Sequence, residues 1–595
     1  MQLSSFDWSI IFLYFVVTLI LGTIITSKSG KNSEEFFLGS RKMPWWLLGI
    51  SMVATTFSAD TPNLVTDIVR NHGVSGNWAW WAFLLTGMLT VFIYAKLWRR
   101  SEATTDLEFY ELRYSGKDAS FLRGFRAVYL GVFFNVVIMA TVILAGIKIA
   151  GILLGISAIK TVMIISLITV VYSAVGGYKG VLYTDFFQFI LAMIGMVWAS
   201  VYIVNMPEIG GLSQLLSHPE IQSKMDFIPP MDNMDVVIPL LLIPLAVQWW
   251  SVWYPGAEPG GGGYIAQRML SAKDEKNAVV ATLLFNVAHY ALRPWPWILI
   301  AFASIVVFPE LSDIAAKFPS IEPSFVKDDL AFPAMLYFLP SGLMGLVIAA
   351  LIAALMSTIS THLNWGSSYI VNDVYQRFIN KTASEKQLVF TARISTVILM
   401  ILAAILSLYL TSAKSSFDIL LQIGAGTGLL FILRWFWWRI NAVSEIVAMV
   451  ISFVIALIME LIVKDKLASH EKMVLGVAIT TIFWIGATYL SKPTDMRTLI
   501  SFYTRIRPHS IGWTPVIQEG KKLGLIKDED ITQGALPSEI LMMFLGCIAV
   551  YALLFGMGYV IYGQYPEATL STIIAVLASW TLYKTWIKKE KKYIG

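Results

Sequence analysis

A chain of 595 residues that is 57% hydrophobic and only 14% charged falls outside the ordinary soluble class, in which charged residues make up about 25%. Its formal charge of +5 is dispersed at the ends of apolar stretches and forms no single basic patch, which argues against nucleic acid as a partner. One cysteine, Cys547, excludes an internal disulfide and a cysteine-based metal cluster.

Apolar runs of about 20 residues recur from end to end, each long enough to cross a hydrocarbon core of about 30 Å. The predicted spans are 6–26, 44–71, 75–98, 123–153, 159–176, 181–205, 234–257, 277–308, 338–373, 389–411, 419–437, 443–463, 471–490, 537–562 and 568–587. They number fourteen or fifteen, depending on how the short 159–176 stretch is counted. The first is kept as a true span, because no basic leader precedes it and no small-residue cleavage site follows.

Lysines and arginines collect in alternate loops, among them Arg99, Arg100, Arg113, Arg268, Arg434 and the 491–535 segment. The positive-inside rule then predicts a multi-pass protein of the cell membrane with its N-terminus outside and its basic C-terminal tail in the cytoplasm. Loops 206–233 and 309–337 fall outside on this topology. Their helix-like pieces, GLSQLLSHPEIQSK and ELSDIAAKF, are placed to lie over a vestibule.

Four stretches carry polar chemistry at membrane depth. In SMVATTFSADTPNLV, Pro62 and the polar run Ser58, Asp60 and Thr61 predict a helix break near 57–61. Carbonyls freed by such a break persist in a membrane only where they face a cavity or bind something. An ionised Asp60 there requires water, a cation or a polar ligand. In VYSAVGGYKGVLYTDFFQ, Gly176, Gly177 and Gly180 permit a tight turn, after which Asp185 enters the next helix. In PLAVQWWSVWYPGAEPGGGGYIAQR, two prolines and four consecutive glycines rule out a continuous helix. Gln248, Trp249, Trp250, Trp253 and Glu258 offer flat apolar faces beside hydrogen-bonding groups, a mixture that suits a sugar ring. The fourth stretch places Ala354, Ser357, Thr358 and Thr361 on one helical face, at offsets of three, four and seven. Small residues and hydroxyls there, with Asp185 and Ser360 in reach, form a hard-ligand set for an alkali cation.

FFLGSRKMPWWLLGISMVATTFSA, SAVGGYKGVLYTDFFQ, YIAQRMLSAKD and AALMSTISTHLNWGSSYIVNDVY, in that order, resemble the sodium/solute symporters, whose branches include sodium/sugar and sodium/sialic acid carriers. The resemblance covers about residues 5–490. It implies an all-α polytopic membrane protein built of two inverted five-helix repeats, 44–205 and 234–437, with broken first helices. Around them it leaves a peripheral N-terminal helix (1–30), additional helices (443–490), a cytoplasmic linker (491–535) and the C-terminal helices and tail (537–595). It further implies a principal sodium ion held by carbonyls of Ala54, Phe57 and Ala354 and hydroxyls of Ser357 and Thr358. The sialic acid carrier type implies a second sodium at Asp185, Ser360 and Thr361. Ser58, Asp60, Thr61 and the 248–258 residues become the solute contacts.

The expected function is therefore sodium-coupled uptake of a small hydrophilic solute, a sugar or sugar derivative, by alternating access. An amino acid or organic acid is the alternative solute. A channel or membrane sensor is the alternative class, opposed by discrete polar points in place of a continuous wet path and by the absence of an appended signalling domain. No nucleophile–base signature suggests an enzyme. Lipid is the expected surround, and nothing in the sequence demands a subunit beyond the monomer.

Overall fold

The computed structural model describes residues 3–26, 38–251, 258–463, 466–532 and 534–594. Among the described residues ten helices are long and apolar enough to cross a membrane, and five shorter apolar helices accompany them. Together they supply one element for each predicted stretch. β-structure among these residues is limited to isolated bridges.

The N-terminal helix α1 (Ser5–Thr26) is followed by α2 (Trp45–Thr56) and α3 (Asp60–His72). The predicted break separates these two: Phe57 is extended, with φ −96° and ψ 95°. Pro62 stands in the first turn of α3, where a missing N–H leaves no helical acceptor unpaired. Next come α4 (Val74–Ser101) and α5 (Gly116–Leu154). Helical bonding runs through the 47 residues of α6 (Ala158–Val204), which laid straight would measure about 70 Å. Yet Ile165 and Leu355 both abut Gly146, while Gly195 abuts Ala350. Segments 30 residues apart thus both lie against the same short stretch of α10.

The second interruption lies between α7 (Met234–Ala246) and α8 (Gly263–Ser271). Gly260, Gly261 and Gly263 have φ of 88°, 83° and 50°, a region in which a side chain is strained. α9 (Glu275–Val307) is capped by Asp274, whose carboxylate accepts the Asn277 N–H at 2.8 Å. Then follow α10 (Leu343–Ile379), α11 (Glu385–Ser407), α12 (Ala413–Leu433), α13 (Ala442–Val463) and α14 (Ser469–Leu490). The chain closes with α15 (Met496–Ile506), α16 (Leu536–Ile561) and α17 (Tyr565–Ile594). The most apolar windows of α5 and α10 are 89% buried, against 22% in α14 and 17% in α17. α5 and α10 are therefore central, and the last helices face lipid. α1 also lies at the rim, but its Asp7 accepts the N–H groups of Gly342 (2.7 Å) and Gly345 (2.9 Å) at the start of α10.

Both long loops fold over one end of the bundle, where Lys224 of the 206–233 loop donates to the Arg70 carbonyl at 2.7 Å. Arg70 donates to the Ser304 and Phe308 carbonyls and pairs with Asp328 at 2.8 Å. Lys148 pairs with Asp329 at 2.7 Å, both side chains at most 1% exposed. At the other end, three arginines that the sequence reading counted as loop charges require correction. Arg113, Arg268 and Arg434 are at most 1% exposed. Each is buried because carbonyls, hydroxyls or carboxylates surround it, so none reports topology as a solvated charge does.

At that same end Glu111 pairs with Arg377 and Arg123. Burial pushes its carboxyl up, but hydrogen bonds from Arg377, Ser120 and Arg123 outweigh this and hold it at about 2. A folded value below the unfolded one, about 4.3, stabilises above that pH and is lost as pH falls towards 2. Acidification from about pH 5 to about pH 2.5 is therefore expected to lower the melting temperature of the wild type more than that of Glu111→Gln. Equal acid sensitivity in thermal melts would show that the cluster contributes nothing.

Candidate functional site

The C-terminal turn of α2 crosses the middle of α10. Thr358 Oγ1 donates to the Thr55 carbonyl at 2.9 Å, and Thr55 Oγ1 lies 3.2 Å from Thr361 Oγ1. Ser357 Oγ donates to Asp185 Oδ1 and Ser51 Oγ to Asp185 Oδ2, each at 2.6 Å. A hydroxyl whose hydrogen is so committed turns its lone pairs elsewhere. Ala54, Phe57 and Ala354 flank this crossing and are 1–3% exposed. The Phe57 N–H donates to the Val53 and Ala54 carbonyls, and its ring packs on Trp297. Carbonyls at an interrupted helix facing oriented hydroxyls, in a dry interior, can replace the hydration of a small hard cation. Among the described residues no cluster of three or more His, Cys, Asp or Glu could hold a metal, so a transition-metal centre has no donor set there.

Asp185 is fully buried and joins α2, α6 and α10. Ser360, by contrast, turns its hydroxyl back on its own helix, donating to the Ser357 carbonyl at 3.1 Å. Arg268 was missed as a member of this group. Its guanidinium donates to Thr361 Oγ1 and to Ser51 Oγ, each at 3.1 Å, and lies 3.6 Å from Asp185. A signal was present: an arginine in the short apolar segment YIAQRML needs an intramembrane acid, and Asp185 was already identified.

Beside the first break is a cavity of about 70 Å3 whose polar lining is Thr56, Ser58, Asp60, Thr61, His289 and Arg293, with Thr141, Trp80 and Phe417 among its other walls. Its polar groups are wired together. Thr56 Oγ1 donates to the Met52 and Val53 carbonyls and lies 3.1 Å from His289 Nδ1. Arg293 donates to His289 Nε2 at 3.1 Å and stacks over Trp297. Pockets that bury a drug-sized ligand start at about 300 Å3, so a solute requires this one to widen.

The three residues after the first break line this cavity, but those of the second do not. Gln248 donates to the Ala79 carbonyl at 2.6 Å, Trp249 accepts Thr86 through its carbonyl, and the Trp250 ring packs edge-on against Trp249. A Cβ on Gly428 would lie 1.6 Å from the Trp250 carbonyl, so α12 presses on this break, and neither tryptophan lines the cavity. Trp253 lies outside the described residues. Glu258, grouped with the solute contacts in the sequence, is 2% exposed. It pairs with Arg126 and, at 3.5 Å, with Arg434; two guanidiniums draw it inward and make it part of a buried ionic cluster.

Two interrupted helices, a crossing of carbonyls and hydroxyls and a small cavity with polar groups set among apolar walls define an ion-coupled membrane carrier. The chain belongs to the sodium:solute symporter family, whose model matches residues 36–452. It is 25% identical over 476 residues to the sodium/glucose cotransporter of Vibrio parahaemolyticus, covering 77% of this chain and 86% of that protein. Likewise it is 25% identical over 482 residues to the sodium/sialic acid symporter of Proteus mirabilis, covering 77% and 90%. A solved outward-open sodium-coupled sialic acid symporter superposes with a TM-score of 0.65 at 21% identity, over 83% of this chain and 99% of that one. The fold is accordingly all-α and polytopic, with two inverted five-helix repeats whose first helices are interrupted.

Proposed function

We propose that the protein moves a small hydroxylated organic solute across the cell membrane together with sodium, by alternating access around the first break. The observation that carries this reading is the bond from Thr358 to the Thr55 carbonyl, which holds α10 against the end of α2 at the break. Sodium at Ala54, Phe57, Ala354, Ser357 and Thr358 ties these helices together, and the solute binds at Ser58, Asp60 and Thr61. With the N-terminus outside, the membrane potential adds about 2.3 kcal/mol per sodium charge per 100 mV to the chemical gradient. The sugar and sialic acid carried by similar proteins support a saccharide or sugar acid. Asp60 and Arg293 across one cavity favour a solute with both hydroxyls and a charged group over a plain hexose.

Saturable uptake into proteoliposomes that requires inward sodium, and not potassium, tests the class. A panel of neutral sugars, sugar acids, amino acids and nucleosides tests the solute. In Arg293→Gln, uptake of a carboxylate-bearing solute is expected to fall at least about 30-fold, an ionic hydrogen bond of about 2 kcal/mol, with sodium half-saturation unchanged. An unaltered solute KM would remove Arg293 from recognition.

A further inference from the structure

Arg268 contacts Thr361 and lies near Asp185, two of the residues that the family resemblance assigns to a second sodium ion. It lies on α8, beyond the second interruption, yet its donors reach Ser51 on α2 and Thr361 on α10, each at 3.1 Å. Asp185 on α6 lies 3.6 Å away. Gln267 accepts from Nη1 at 3.0 Å, and the rings of Tyr178 and Tyr264 lie 5.5 and 5.8 Å from the guanidinium carbon. One buried cation therefore joins elements from both interrupted regions through Asp185 and Thr361, two of the three residues in the second oxygen set. The other carboxylate oxygen, Oδ1, is bound to Ser357 of the principal set.

A guanidinium and an alkali ion both drawing on Asp185 in a dry interior repel one another strongly, because low dielectric removes the screening water provides. Arginine stays charged when buried, so deprotonation does not relieve the conflict. Movement relieves it.

We propose that Arg268 is a tethered counter-cation: it occupies Asp185 and Thr361 in place of an alkali ion, and an ion arriving at that set displaces it and frees α8 from α2 and α10. Ion occupancy beside the first break is thereby transmitted to the second. Arg268 acts as a positioning residue that sets how many ions the protein holds at once. This inference depends on the sodium-carrier reading. If sodium neither binds nor stabilises the wild type, that reading fails before Arg268 is tested.

The test is radioactive sodium binding to the purified full chain, with no solute added, in wild type, Arg268→Gln and Arg268→Lys. Removing the competitor is expected to lower half-saturating sodium at least tenfold and to raise the ions bound per protein. Lysine, which keeps the charge, is expected to stay within about threefold of wild type. Unchanged or weakened sodium binding in a folded Arg268→Gln overturns the proposal, since a merely structural arginine predicts that outcome. If the glutamine variant does not fold, phenylglyoxal labelling of the wild type decides, read by peptide mass spectrometry. Arg268 modification is expected to rise severalfold in sodium over choline while Arg126 and Arg434 stay constant. No rise at Arg268 overturns it.

Discussion

In Ser357→Ala, the sodium concentration for half-maximal uptake is expected to rise at least tenfold, about 1.4 kcal/mol or more. The substitution deletes one proposed ligand oxygen and the donor that orients Asp185 Oδ1. A buried carboxylate deprived of a partner incurs a further desolvation cost of about 1–3 kcal/mol. Melting curves in sodium and in potassium separate the two effects: loss of the ligand narrows the gap between them, whereas loss of packing lowers both equally. Should sodium dependence match the wild type, the principal site lies elsewhere.

Glu258→Ala is expected to be the most damaging single change to stability. It strands Arg126 and leaves Arg434 with only Glu445, at 3.5 Å, among the carboxylates around it. Breaking a buried pair from one side costs about 3–5 kcal/mol, enough to abolish most folded protein in detergent. Glu258→Gln keeps the hydrogen-bonding shape without the charge and is expected to fall between. Size-exclusion profiles after a temperature ramp report the ranking. A wild-type profile for the alanine variant would mean that the cluster is stabilised by its aromatic neighbours alone.

The positions of the helices and both interruptions were legible because each follows from local chemistry. Twenty apolar residues need the bilayer's thickness, Pro62 is tolerated only in the first turn of a helix, and a glycine run permits φ values closed to other residues. The oxygen stripe on α10 was legible for the same reason, since offsets of three, four and seven define a face without reference to the rest of the chain. What escaped was pairing across distance. Glu258 reads as a loop carboxylate until Arg126, 132 positions earlier, and Arg434, 176 later, are brought against it. Arg268 reads as an inner-loop charge for want of knowing that α8 tucks beneath Asp185. Trp249 and Trp250 have the composition of a sugar platform, but Gly428 brings α12 against the Trp250 carbonyl and neither tryptophan lines the cavity. His289 and Arg293 stand one turn apart on α9 and belong to no motif. Only the meeting of α9 with the first break makes them one wall of a cavity.

The clasp between Asp7 and the first turn of α10 gives the lipid-facing α1 a mechanical duty. Backbone amides at a helix start have no partners within the helix, and an acid seated on them fixes where that helix begins along its axis. A Cβ on Gly345 would meet the Asp7 main chain at 2.6 Å, so the two backbones are in direct apposition. α10 is the rod that bears Ser357 and Thr358, and α1 is its end stop. Removing α1 would therefore loosen the axial register of the helix that carries Ser357 and Thr358.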